Sequence, residues 1–113
     1  MKKDFYIYQE DLINYEITTN EITITDLVMD LNCKFCMDGM KKLRTEAITN
    51  YLQSKGYLEY DQEKRKKKPT ILGNLLGIDV RRRFNKERNI EYDVNVYDIN
   101  AQKYILDNLY KII

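Results

Sequence analysis

Lys41 to Asp61 reads KKLRTEAITNYLQSKGYLEYD, and its apolar positions Leu43, Ala47, Ile48, Tyr51 and Leu52 recur at helical spacing. Gly56 follows where a helix takes a left-handed residue at its C-terminus, so the spacing predicts a helix ending at Lys55. Tyr57 to Tyr60 then reads as a strand, and after it comes Lys64-Arg65-Lys66-Lys67-Lys68, a run too charged to bury. The opposite face of the helix carries Lys42, Thr45, Glu46, Thr49, Asn50 and Gln53. Most of these side chains can hydrogen-bond base edges, and the cations beside them can hold phosphates. Helix, short strand and basic loop in this order predict a winged helix-turn-helix, with the recognition helix first and a basic wing second.

Working outward, the composition bounds the class. A chain of 113 residues with 43 % apolar and 33 % charged content suits one globular domain over residues 1 to 113. The net charge of +1 gives no reason by itself to expect nucleic acid. Its distribution does, because residues 41 to 88 hold 14 Lys and Arg against 6 Asp and Glu, while both flanks are acidic. One basic lobe on a near-neutral chain is what a local anionic partner requires. No segment reaches the roughly 18 to 20 apolar residues of a membrane span, and the start is alternating rather than signal-like. A cytoplasmic location with no membrane partner is expected, and two cysteines make no disulfide framework.

Upstream, Phe5 and Ile7 alternate with Tyr6 and Tyr8, and residues 1 to 21 read as a strand or short helix. Ile22 to Ile24 is a β-branched piece. Thr25 is read as the cap of a helix whose stripe is Leu27, Val28, Leu31 and Phe35, with Ile24 and Met29 as a hydrophobic staple. Asp38-Gly39 supplies the break before the recognition helix. Downstream, Pro69-Thr70 opens a short segment with Gly73 and Gly77. Val80, Arg82 and Phe84 then alternate with Arg81 and Arg83, and Ile90 to Tyr97 alternates likewise, which predicts a β-hairpin with Asn85 to Asn89 at its tip. Asp98 caps a last helix with the stripe Ala101, Ile105, Leu109 and Ile112, widened by Leu106 and Ile113. That apolar surplus suggests a homodimer through the C-terminal helix, although the helix can equally close its own core.

The run Tyr51-Leu52-Gln53-Ser54-Lys55-Gly56-Tyr57-Leu58, then Lys68-Pro69-Thr70 with Gly73 and Leu76-Gly77-Ile78, then Gln102-Lys103-Tyr104-Ile105-Leu106, resembles the C-terminal KilA-type domain of phage antirepressors. In such proteins a helix ending in Gly precedes a strand, a Pro-Thr turn with a later Gly, a hairpin and a final helix. The resemblance covers about residues 43 to 110, without the separate N-terminal domain those proteins carry and with an unusually basic wing. It implies phage or mobile-element regulation and leaves open whether DNA or protein is bound.

Other chemistry is weaker. Cys33-Lys34-Phe35-Cys36 is a CxxC pair, but with no His and no second pair a structural zinc site lacks ligands unless carboxylates or a second subunit supply them. Structural thiols beside the core stripe are the simpler expectation. The absence of His excludes Ser-His and Cys-His hydrolases, and Gly73 and Gly77 lack the Gly-Lys-Ser/Thr ending of a phosphate loop. No enzyme and no cofactor are expected. Tyr51, Tyr57, Tyr60 and Tyr92 are read as core and strand packing rather than as a base-stacking platform.

The expected partner is double-stranded DNA. Thr45, Thr49, Asn50 and Gln53 are assigned to bases, with Lys41, Lys42, Arg44 and Lys64, Arg65, Lys66, Lys67 and Lys68 on phosphates. Arg81 and Arg83 are divided between phosphate contact and cross-strand pairing with Glu91 and Asp93. The alternative keeps the fold and uses the surface on a protein, as an antirepressor or an inhibitor of a host defence nuclease.

Overall fold

Thr23 sits in extended backbone and its hydroxyl accepts the Asp26 amide, so the first long helix, α1 (Ile24–Phe35), starts two residues earlier than a Thr25 cap would allow. The pattern Thr23-x-x-Asp26 is the capping signal, and the expected staple is displaced with it. Met29 points into solvent, whereas Ile22 and Leu27, the residues that flank the true cap, both join the core.

The structure, a computed structural model, describes residues 2–113. Its elements run α1, α2 (Thr45–Ser54), β1 (Leu58–Asp61), β2 (Lys66–Pro69), α3 (Ile71–Leu76), β3 (Ile78–Asn85), β4 (Ile90–Tyr97), α4 (Ile99–Asp107) and α5 (Leu109–Ile112). The class is α+β, with two separate two-stranded antiparallel sheets, β1–β2 and β3–β4. The N-terminal segment adds one 3-10 turn at Gln9–Leu12 and a single parallel bridge between Lys3 and Met40. The alternation at its start is real: Phe5 and Ile7 are buried, Tyr6 and Tyr8 exposed.

The helix α2 ends as its sequence requires. Gly56 has φ +86°, its amide bonds to the Gln53 carbonyl at 3.1 Å, and the Tyr57 amide bonds to the Leu52 carbonyl at 2.9 Å. These two bonds make a Schellman motif. Ile48 and Leu52 are fully buried, and α2 packs on α1, β1 and α5. The connection from α1 is held by Asn32, whose carboxamide donates to the Leu43 carbonyl at 3.0 Å and accepts the Leu43 amide at 2.8 Å.

Four further readings are corrected or completed. The basic run is not all loop: Lys66 to Pro69 form β2, with Lys67 opposite Tyr60 and Lys68 opposite Glu59. The segment after Pro69 is a helix, because the Thr70 hydroxyl caps the Gly73 amide and Gly77 at φ +120° ends it. The last helix is broken at Asn108, whose side chain donates back to the Tyr104 carbonyl at 2.8 Å and competes with the helical bond. The expected stripe of that helix packs on the core, with Ala101, Ile105 and Leu109 fully buried and Ile112 and Ile113 half-buried against it.

The β3–β4 hairpin forms as expected, with Ile78 opposite Tyr97 and Asn85 opposite Ile90. Its base is buried at Ile78, Val96 and Tyr97, and its outer half stands in solvent. Ile22 makes one antiparallel bridge to Tyr97, and the buried Gln102 donates to the carbonyls of Asn20 and Tyr97, which ties the N-terminal segment to the end of β4.

Candidate nucleic-acid interface

The surface formed by α2 and the β1–β2 hairpin is one piece, and a single side chain joins its halves. Lys67 on β2 is half-buried and donates from Nζ to Thr49 Oγ1 at 3.0 Å and to Asn50 Oδ1 on α2. Its backbone carbonyl accepts from Asn95 of β4 at 2.9 Å, so the strand is held from both sides. Burial pushes the Lys67 ammonium pKa down, and Glu46 opposes the shift.

The N-terminus of α2 is the least neutralised part of this surface. Arg44 occupies the cap position in extended backbone with no side-chain cap bond, which leaves the first amides of the helix without a side-chain acceptor. Lys42 and Arg44 are exposed, and Lys41 reaches only Asp4 at 3.8 Å across open solvent. An open concavity of about 600 Å³ lies here, lined by the cations Lys2, Lys41, Lys42 and Arg44, the carboxylates Asp4 and Glu46, and apolar residues between them. Positive dipole and the cations Lys42 and Arg44 thus meet at one end of α2, where Glu46 in the first turn is the opposing charge. Thr45 bonds weakly to Glu46 at 3.4 Å, and the Gln53 side chain is exposed with no intramolecular partner among the described residues.

The cations of the β1–β2 hairpin stand otherwise than their charge suggested. Lys64 pairs with Asp93 at 3.0 Å, Lys66 donates to the Asp93 backbone carbonyl at 2.6 Å, and Lys68 lies 3.7 Å from Glu59 and 3.8 Å from Asp61. Arg65, at the tip with φ +54°, is exposed and has no ion pair among the described residues. Asp61 accepts the amides of Glu63 and Lys64, which shapes the turn and holds its carboxyl below the usual range. Exposed pairs of this kind contribute little to stability and exchange readily for another anion.

The cross-strand pairing falls on a residue that sequence reasoning passed over. The register sets Arg82 opposite Asp93, so Arg82 bonds to Asp93 at 3.1 Å and to Glu91 at 3.2 Å. Arg81 turns instead to Glu21 at 3.0 Å and Asp79 at 2.9 Å, and Arg83 has no ion pair among the described residues. Pairing on every second residue was the available signal, but a one-residue change of register moves it to the other face.

Asp93, bonded by Lys64 and Arg82, has its pKa lowered, as do Asp79 beside Arg81 and Asp30 beside Tyr15 and Lys34. A depressed folded value means stability that is complete above the unfolded carboxyl value near 4 and lost as pH falls through the folded one. The melting temperature is therefore expected to be flat from neutrality to about pH 5 and to fall below about pH 4, with Asp93→Asn flattening the fall. A melting temperature that declines equally steeply in that variant would remove Asp93 from the account.

Two other expectations change. Cys33 is exposed rather than set beside the core, and only Cys36 is half-buried, with Sγ 3.5 Å from the Met40 carbonyl. Among the described residues no group of three or more His, Cys, Asp or Glu side chains converges for a metal. Tyr51 and Tyr57 pack inward, the latter edge-on to Tyr104, but Tyr60 and Tyr92 are exposed. Sequence reasoning also missed the outer face of α3, where Ile71 and Leu75 are 80 % and 79 % exposed beside Leu72. Its signal was the run Ile71-Leu72-x-x-Leu75 itself.

No helix among the described residues is long and apolar enough to cross a membrane. No protein family model, curated protein or solved structure matches this chain.

Proposed function

We propose that this chain is a non-enzymatic winged-helix protein that binds double-stranded DNA, a small cytoplasmic regulator of phage or mobile-element type, as the KilA-type resemblance implies. In this reading α1 and α2 form the helix-turn-helix, α2 enters the major groove, and β1–β2 is the wing. The observation that carries the reading is the α2 N-terminus, uncapped and framed by Lys41, Lys42 and Arg44. A phosphate there is bound by amides, dipole and cations together. The bond from Lys67 to Thr49 and Asn50 supports it further, because wing and helix then meet the duplex as one rigid surface. Phosphate contact passes chiefly to Lys42, Arg44 and Arg65, since Lys66 and Lys67 are engaged within the protein.

Affinity for duplex DNA should fall with salt, with a slope of about −0.9 per phosphate on logarithmic axes. Replacing Lys42, Arg44 and Arg65 together by Ala is expected to flatten that slope by about two to three units. An unchanged slope would withdraw these residues from the interface.

A second reading, a protein-binding antirepressor or inhibitor of a defence nuclease, is favoured by the exposed Ile71, Leu72 and Leu75 on one face of α3. It is distinguished by selection from a random duplex library. An enriched site supports the regulator, and no enrichment leaves the protein-binding reading.

A further inference from the structure

Thr49 and Asn50 sit on the surface assigned to bases, yet neither is a free reader. The Lys67 ammonium has three hydrogens and no acceptor, so the Asn50 atom that faces it must be the carboxamide oxygen. Thr49 accepts from the same ammonium at 3.0 Å and is 3.5 Å from the Glu46 carbonyl, which is where its hydroxyl hydrogen points. That oxygen keeps a second lone pair, but the bond draws it to the β2 side, and the other end of the carboxamide of this exposed residue is the NH₂ with its donors.

We propose that Lys67, reaching across from β2, is a positioning residue that turns the Asn50 oxygen toward β2 and the Asn50 NH₂ toward the base, so that the base it faces is selected for acceptors, guanine before adenine. This rests on the DNA-binding reading and adds the chemistry of one base position to it. An unrestrained Asn pairs with adenine through both its groups, donating to N7 and accepting from N6. With its oxygen held by Lys67, the same side chain meets the adenine N6 donor with a donor of its own. Guanine, by contrast, presents the two acceptors N7 and O6 side by side. The third ammonium hydrogen of Lys67 adds to the same preference. Gln53 has no such restraint among the described residues and lies one helical turn from Asn50, so it serves as the internal control.

The test selects binding sites from a random duplex library with the full chain and four variants, Asn50→Ala, Lys67→Met, Lys67→Arg and Asn50→Asp. One position whose preference disappears in Asn50→Ala marks the base that Asn50 faces. That position is expected to be guanine in the unaltered protein. In Lys67→Met it should move toward adenine, with the guanine-to-adenine ratio falling roughly 5- to 150-fold, while the position lost on changing Gln53 stays as it was. Lys67→Arg, which retains donors, should keep guanine. Asn50→Asp keeps an oxygen for Lys67 and turns the other outward, so it should move the position toward cytosine, whose N4 donates; this variant also serves if Lys67→Met does not fold. A position that is adenine in the unaltered protein, or that Lys67→Met leaves at guanine, overturns the inference while the DNA-binding reading stands. No enriched site for the unaltered protein overturns both.

Discussion

Leu52→Ala is expected to remove about 2 to 5 kcal/mol of stability, a large share of the 5 to 15 kcal/mol typical of a domain. Leu52 is fully buried and belongs to the same core as Leu31, Ile48 and Leu109. The helix that carries it touches α1, β1 and α5, so the walls of the resulting cavity belong to several elements and cannot all move inward. Its own backbone is fixed as well, because the Leu52 carbonyl accepts the Tyr57 amide in the Schellman turn. Ile71→Ala is the control, since an 80 % exposed side chain should cost no more than about 0.5 kcal/mol. Chemical denaturation measures both. A loss below about 0.5 kcal/mol for Leu52→Ala would show that the core is not arranged around α2.

Gly73→Ala should destabilise by about 2 to 4 kcal/mol even though it adds a better helix former. In an exposed helix the exchange would gain about 1 kcal/mol. Here the new Cβ would lie 2.1 Å from the Tyr57 carbonyl oxygen and 3.1 Å from its carbonyl carbon, and backbone cannot rotate aside as a side chain can. The same carbonyl already accepts the Thr70 amide at 3.1 Å, and the Thr70 hydroxyl donates to the Gly56 carbonyl at 2.6 Å, so α3 is bound to the end of α2 at the point of collision. Relief requires α3 to shift and to break those bonds. An increase in stability on denaturation would mean that α3 does not lie against Tyr57.

The helices whose signals are local could be read from the chain alone. The Gly56 stop, the Asp98 cap and the alternation through Ile90 to Tyr97 each depend on neighbours within a few residues. Thr23 against Thr25 was harder, because two hydroxyl residues two positions apart both offer a cap and only the pairing with Asp26 decides between them. The strand character of Lys66 to Pro69 was hidden by composition: four residues with three lysines have almost no intrinsic reason to pair, and tertiary context supplies it through Asn95, Asp93 and the opposite strand. The basic lobe was legible as a count and illegible as a surface. Glu21, Glu91 and Asp93 are distant in sequence from most of the cations they meet, and only the hairpin register and the Ile22 bridge bring them there.

The β3–β4 hairpin has only two strands, so beyond the Ile22 bridge the outer edge of each strand is joined to no further strand. Val80, Phe84, Ile90 and Tyr92 stand exposed along it. An open edge with apolar side chains is a template on which a second copy can add. The cations at Arg81, Arg82, Arg83, Lys86 and Arg88 sit on the same ribbon, and two copies brought edge to edge would oppose like charges. If these cations guard the edge, a preparation stripped of them should cloud at concentrations where the natural chain stays clear.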